Sequence, residues 1–578
     1  MSLLADYLKS ALPSQIMSER GSNLVVINPG SANVRIGLAS QDTPFNIPHC
    51  IARHTEQIPN FTVIDKMLNS TVTTQQHIDR EKAYDVIAPL LKIPFLDEEG
   101  PSNSFPRKMG RVDGHNPHII RKDLPFTWTN VYEEATNSSV SLETSSKDET
   151  DEFLDPKEGT DSKEPNASER KFKEFICGEE ALRISPTEPY CFCRPIRRGH
   201  LNISQHYSMQ QVLDDLHTIW DWILIEKLHI PRNERNMYSA VLVMPETFDN
   251  REIKEILSLV LRELCFGSAV VHQEGLAAVF GNGLSTACVV NIGAQVTSLI
   301  CIEDGGALPS TGKTLPFGGE DISRAFLWTQ RQRQTWPPIH SDVFGKPIDL
   351  LVLNQLKETY CEVKEGEFDA VAVVHSYENK VPAGPHKTRL SALNVPPMGL
   401  FCPMLLTPDA YPPPPRFMTT RICLKIHGIL TFPGGLTCQI LSIPMLMEDY
   451  QCGKAIQFFQ LSQKKKRKSA LQRLLLTAFS QLTGGVALTS GLIAAVEERV
   501  LHAIPPNEAI DTVEVLQSRA NPTFVSWKGG AILGVLDLGR DAWISREDWI
   551  HNGVHVGSNR KYKDSYYLQA QAMCYMNS

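Results

Sequence analysis

The chain has 578 residues, 42% hydrophobic and 21% charged, with a formal net charge of −8 and a pI near 6.1. That length asks for two lobes or more, and the acidic balance excludes a strongly basic nucleic-acid binder taken as a whole, though not a local basic face. No run of about 18 apolar residues marks a membrane span.

The thirteen cysteines include no CxxC pair, and the nearest two are Cys191 and Cys193, which predicts reduced thiols in a cytosolic or nuclear protein. The sequons at Asn137 and Asn166 then carry no meaning, and residues 1–21 lack a signal-peptide pattern. Leu4, Leu8, Leu12 and Ile16 recur at helical spacing and predict a short docking helix. Leu24–Ile27 reads as a buried strand, followed by Asn28-Pro-Gly-Ser-Ala-Asn-Val-Arg-Ile-Gly37. Gly30 and Ser31 at such a strand-to-strand turn can offer backbone N–H groups and a hydroxyl to phosphate, although the pattern also suits a plain hairpin. Glu143–Arg170 holds ten acidic and four basic residues with little apolar content, too little to offset its ordering entropy, and reads as a disordered surface insertion with a phosphorylated contact arm as the alternative.

Order returns at Phe175–Leu182. An amphipathic helix is predicted over Val212–Leu228, a strand and turn over Tyr238–Phe248, and a helix from Arg251 to about Cys265. Arg197 and Arg198 read as solvated surface arginines, with a basic contact as the alternative. Ala307–Thr314 ends like a P-loop, but Gly306 lies one residue too early for one. Val395–Pro415, ending in four prolines, reads as a polyproline linker or loop. Phe417–Leu482 holds two acids against nine Lys or Arg, including Lys464–Lys468. It suits nuclear import or nucleic-acid contact, or a stretch foreign to the fold introduced by splicing or a reading-frame change, and Thr477–Leu482 makes a poor strand. The stretch Thr523–Trp549 reads as a short strand, a Gly529-Gly530 turn and an apolar helix start, with Trp527 and Trp543 in the core.

The order Trp-x-Gly-Gly-x-Ile-Leu from Trp527, then Trp-Ile-Ser-x-x-x-Trp from Trp543, resembles the C-terminal signature of actin and the actin-related proteins. Six further stretches resemble the family in order. Gly30, Ser31, Arg35 and Gly37 match its first phosphate loop, with Asn28 where the family has a metal-organising aspartate, Ala32 for a glycine and Arg35 for a lysine. Gln273 takes the place of the glutamine that orients the attacking water. Gly293, Val296 and Thr297 match the second phosphate loop, with Asn291 and Ala294 in place of two carboxylates and Gln295 in place of a glycine. Gly319 and Asp321 match a helix start, Lys357 and Glu358 the helix lining the adenine pocket, and Gly484 and Gly485 the adenosine loop; Thr523 stands where the family has an adenine-side lysine.

The resemblance implies an α/β actin-like two-lobed ATPase fold of the actin, Hsp70 and sugar-kinase superfamily, with large insertions. The expected segments are a docking segment over 1–21, a first lobe over 22–285 with an acidic insertion near 137–171, a second lobe over 286–519 with a proline-rich and basic insertion near 366–482, and a return to the first lobe plus a tail over 520–578. It further implies a divergent nuclear actin-related protein of the group that holds actin-related protein 8 and plant actin-related protein 9. Such a protein is a non-filament scaffold in a chromatin-remodelling complex. Its implied partners are a helix of the remodeller motor subunit, actin and other actin-related proteins, and histones or nucleosomal DNA, without a membrane. Its implied location is the nucleus, with the cytoplasm second. ATP or ADP is the implied ligand. A hard cation wants carboxylate or carboxylate-held water oxygens, and Asn28, Asn291 and Ala294 remove three negative charges, so Mg²⁺ is expected weak or absent, with little or no hydrolysis. The alternatives are a nucleotide-switching ATPase, supported by Gln273, Lys357 and Glu358, and a cytoskeletal filament subunit.

Overall fold

The computed structural model describes residues 14–56, 64–68, 71–91, 126–128, 172–184, 188–336, 347–366, 368–376, 384–415, 480–503, 515–516, 521–536 and 543–552. The acidic stretch Glu143–Arg170, both sequons, the basic run Lys464–Lys468 and the tail from Gly557 lie outside them.

The apolar run Leu24–Pro29 is a strand buried along almost its whole length. The continuous apolar run Leu24–Ile27 within it, rather than an alternating one, is what a strand covered on both faces requires. It pairs in parallel with Ser239–Met244, which pairs in parallel with Ser268–Gln273. On its other side it begins an antiparallel meander with Asn33–Leu38 and Phe45–Pro48. The second sheet repeats the plan. Ala287–Ile292 begins a meander with Thr297–Glu303 and Gly306–Leu315, and pairs in parallel with Ser480–Thr483, which pairs in parallel with Val515–Leu516. The two-lobed α/β expectation is met. The P-loop look-alike lies on the third strand of the second meander, as its missing glycine required.

Two helices, Glu274–Gly281 and Val525–Leu536, are packed between the sheets. They share one core with Val26, Val241 and Val243 of the first sheet and Val289, Ile300 and Ile302 of the second. Here the structure corrects the sequence reading: Thr523–Gly530 is not a strand and turn, because the helix starts at Val525 and runs straight through Gly529 and Gly530. The glycines serve a crossing. A Cβ at Gly529 would lie 1.6 Å from the Ala277 carbonyl oxygen, and one at Gly281 would lie 2.2 Å from that of Val525. Backbones that touch leave no room for any side chain. Trp527 is buried as expected, its Nε1 donating to the Val26 carbonyl at 3.1 Å.

The helix Met209–Glu226 begins at a capping box, with Ser208 and Gln211 each satisfying the other's backbone N–H. Its stripe of Val212, Leu216, Ile219, Trp220 and Ile223 enters the first-lobe core. The predicted helix after Arg251 spans Asn250–Ser258 and closes in a π turn, Leu259–Glu263. Only Ser14–Gly21 of the predicted N-terminal helix lies among the described residues as helix.

Two other expectations are overturned. Val395–Pro415 is not a free linker, since Val395, Met398, Leu405 and Leu406 are buried in the second-lobe core on two short helices. Prolines at the first helical positions make such helices easy to start. Ser480–Thr483 is a true strand, buried at all four residues in the interior of the second sheet. One of its polar groups is met from a neighbouring helix, with Gln481 Nε2 donating to the Ala278 carbonyl at 3.2 Å.

Candidate nucleotide cleft

Each meander's first turn faces the other lobe. In the first, Gly30 N–H donates to the Asn33 carbonyl at 3.0 Å; in the second, Gly293 N–H donates to that of Val296 at 2.9 Å. Asn28 and Asn291 stand on the strands just before these turns. One side chain joins them. Glu274 Oε1 accepts from Asn28 Nδ2 at 3.1 Å, and its Oε2 accepts from Asn291 Nδ2 at 2.8 Å. Glu274 opens its helix directly after the strand that ends at Gln273, which sets its carboxyl between the two turns.

Burial first, then the charge of Glu246, pushes Glu274 up to about 7, against the pull of Arg35 and the two amides. Glu246 is half-buried and raised by desolvation, accepting from Gly275 N–H at 2.6 Å and from Ser298 Oγ at 3.1 Å. Arg35 Nη1 donates to Asn28 Oδ1 at 3.2 Å and lies close enough to feel Glu274.

On the far side of Asn291 lies the turn containing Gly484, whose φ is +88°; a Cβ there would meet the Ile292 carbonyl oxygen at 2.3 Å and Asn291 Oδ1 at 2.7 Å. A Cβ on Gly485 would face open space. Lys357 turns inward, its Nζ donating to the Gly319 carbonyl at 2.8 Å, and burial lowers its pKa. Gly293, Gly319, Lys357, Gly484 and Gly485 are therefore gathered on one side of the cleft. Glu358, the next residue along the helix, is exposed. Thr297 directs its hydroxyl to the Phe317 carbonyl at 2.9 Å. Ser31 Oγ accepts from Gly199 N–H at 3.2 Å. Gln273, proposed from sequence as the water-orienting residue, is buried at the strand end, and the neighbouring Glu274 is the one that reaches both turns.

Arg198, one of the two arginines read as solvated, is the largest departure. Arg198 is 2% exposed. It pairs bidentately with Asp321 at 2.5 and 2.7 Å, and donates to the carbonyls of Gln295 and Tyr411, each at 2.8 Å. Its own N–H is taken by Gln295 Oε1 at 2.8 Å, and Gln295 Nε2 donates to Glu320 at 2.9 Å. Arg194 completes the network by pairing with Glu320 at 3.0 Å and with Asp65 at 3.2 Å, while the Tyr411 hydroxyl donates to Asp65. The network spans both lobes. Sequence reasoning missed it because its partners are remote along the chain; the acidic pair Glu320-Asp321 opening a helix was the only signal.

The cradle of Gly484, Gly485, Lys357 and the two turns fits a nucleotide. The donor set between the turns does not fit a divalent cation in the way the resemblance requires. Its carboxylates are already taken: Glu274 is bonded to two amides beside a guanidinium, and the neighbouring Glu246 accepts from Gly275 N–H and Ser298 Oγ. Among the described residues no group of three or more His, Cys, Asp or Glu is placed to hold a metal. No helix among them is long and apolar enough to cross a membrane.

The actin family matches residues 20–389. The chain is 56% identical to actin-related protein 9 of Arabidopsis thaliana, over 99% of this chain and 98% of that one, and 54% identical to actin-related protein 9 of Oryza sativa subsp. indica over 99% and 100%. It is 27% identical to actin-related protein 8 of Mus musculus over 92% of this chain and 91% of that one. The solved structure of human actin-related protein Arp8 in its ATP-bound state has the same fold, with a TM-score of 0.67 and 24% identity over 94% of this chain and 97% of that one. With the paired meanders, the crossing helices and the cleft between them, these likenesses lead to one conclusion: the chain belongs to the actin family, as a divergent actin-related protein of the group that holds actin-related proteins 8 and 9.

Proposed function

We propose that this protein is a non-filament scaffold subunit of a nuclear chromatin-remodelling complex that holds ATP or ADP as a structural ligand and hydrolyses it little or not at all. The observation that carries the reading is Glu274 held between Asn28 and Asn291. Phosphoryl transfer in this type of cleft depends on positioning and on neutralisation of charge by Mg²⁺, and this arrangement offers an internal hydrogen-bonded anion instead. Gly484, Gly485 and Lys357 would hold the nucleotide's nucleoside end and the turns at Gly30–Ser31 and Gly293 its phosphates. The match to actin-related protein 9 along nearly the whole of both chains supports a shared role.

The partners that go with this role are a helix of a remodeller motor subunit, actin and other actin-related proteins, and histones or nucleosomal DNA. Purifying the tagged protein from nuclear extract tests it. Stable recovery with a remodelling motor and other actin-family subunits is the expected result. Recovery alone or with cytoplasmic partners defeats the chromatin role, and ATP turnover at the rate of actin defeats the non-hydrolytic one.

A further inference from the structure

Asn28, Glu274 and Asn291 form one arrangement. Each asparagine presents its amide donor to the same carboxylate, at 3.1 and 2.8 Å, from a different lobe. An aspartate at either position would set carboxylate against carboxylate. The two losses of charge and the presence of Glu274 therefore belong together physically: the asparagines are what a buried glutamate between the lobes needs. Among the described residues no cation is in ion-pair contact with Glu274, since Arg35 bonds to Asn28 instead. A second carboxylate, the half-buried Glu246, lies close enough to act on it. The Gly484 turn abuts Asn291, and Asn291 bonds Glu274, so a phosphate chain running from that turn toward Gly30 and Gly293 would approach this carboxylate.

We propose that the Glu274 carboxylate is the cleft's own anion, tying the lobes together where a terminal phosphate would otherwise sit, so that the cleft takes a nucleoside diphosphate in preference to a triphosphate. This rests on the reading of the cleft as a nucleotide site. Glu274 is already costly to ionise there, and a further phosphate anion at contact distance adds repulsion that no bound cation relieves.

The test is equilibrium binding of ADP and ATP, in EDTA and in Mg²⁺, to the full-length protein and to Glu274→Gln, with thermal melts of both and of Asn291→Asp. The expected result is ADP bound about tenfold or more tighter than ATP by the unmodified protein, with the ratio falling to about threefold or less in Glu274→Gln. Asn291→Asp should melt lower and be restored by Mg²⁺, while the unmodified protein's melting temperature ignores the metal. Equal affinities in the unmodified protein, or an unchanged ratio in Glu274→Gln, overturn the proposal. So does a Mg²⁺-dependent gain in ATP affinity that Glu274→Gln abolishes, since Glu274 would then be a metal ligand. If cooperatively melting proteins bind neither nucleotide, the nucleotide reading itself fails and the ligand preference with it. The lobe tie is then judged by the Asn291→Asp melt alone: no drop refutes it. That melt also decides the matter should Glu274→Gln fail to fold.

Discussion

The two turns that flank the cleft occupy equivalent places in the two lobes and are held by opposite chemistry. The first is fixed by neutral groups: His49 Nδ1–H donates to the Gly30 carbonyl at 2.9 Å, His49 N–H to that of Ala32 at 2.8 Å, and Gly199 N–H to Ser31 Oγ at 3.2 Å. The second is fixed by ions, with Gln295 wired to Arg198 and Glu320 and through them to Asp321, Arg194 and Asp65. One backbone device can thus be anchored in ways that fail differently. A neutral anchor fails when it gains a proton. An ionic one fails when it loses a partner, because the remaining charge is left buried.

The largest effect is expected at the ionic anchor. Arg198→Met should cost about 3–5 kcal/mol, leaving Asp321 without its bidentate partner, read as a fall in the denaturation midpoint; a loss below about 1 kcal/mol would erase the contrast. Acid tests the neutral anchor. Burial, opposed by the bond to Gly30 and aided by Arg194, lowers His49 to about 4. Its unfolded value is near 6.5, so the folded protein binds fewer protons. The His49 contribution is whole above pH 6.5 and is lost as pH falls toward 4, by about 3 kcal/mol at the limit. The difference in stability between the protein and His49→Gln, followed from pH 7 to 4, should shrink accordingly; a pH-independent difference would show that His49 titrates normally. Tyr411→Phe removes the hydroxyl that faces Asp65 but leaves Arg194 in place, for a loss of about 1–2 kcal/mol. Ser31→Ala should be the mildest, about 0.5–1 kcal/mol, because it deletes one half-buried acceptor.

The strands, the turns and the cradle were legible in the sequence because local signals set them: apolar runs end in Gly30 and Gly293, and a Gly pair precedes the helix Leu492–Ala503. What was not legible depends on partners brought from elsewhere. Gln273 and Glu274 are adjacent, and only the point where strand yields to helix decides which of them reaches Asn28 and Asn291. Arg198 looked solvated because its counter-charge lies 123 positions away. Gly529-Gly530 looked like a turn because the pressure on it comes from Ala277 rather than from its neighbours. The weak-looking strand Ser480–Thr483 is held by pairing on both sides, which overrides its own propensity.

The bond from Trp527 to the Val26 carbonyl joins residues 501 apart. During synthesis, at 5–20 residues per second, Leu24–Pro29 leaves the ribosome roughly 25–100 s before the helix that covers it exists. Its apolar face waits through that interval without its partner. Such a chain invites help from a chaperone, and a premature stop anywhere before residue 525 would remove the helix that covers the inner face of the first sheet and packs against Glu274–Gly281. The product would be an unfinished core, prone to aggregation, rather than a shortened working subunit.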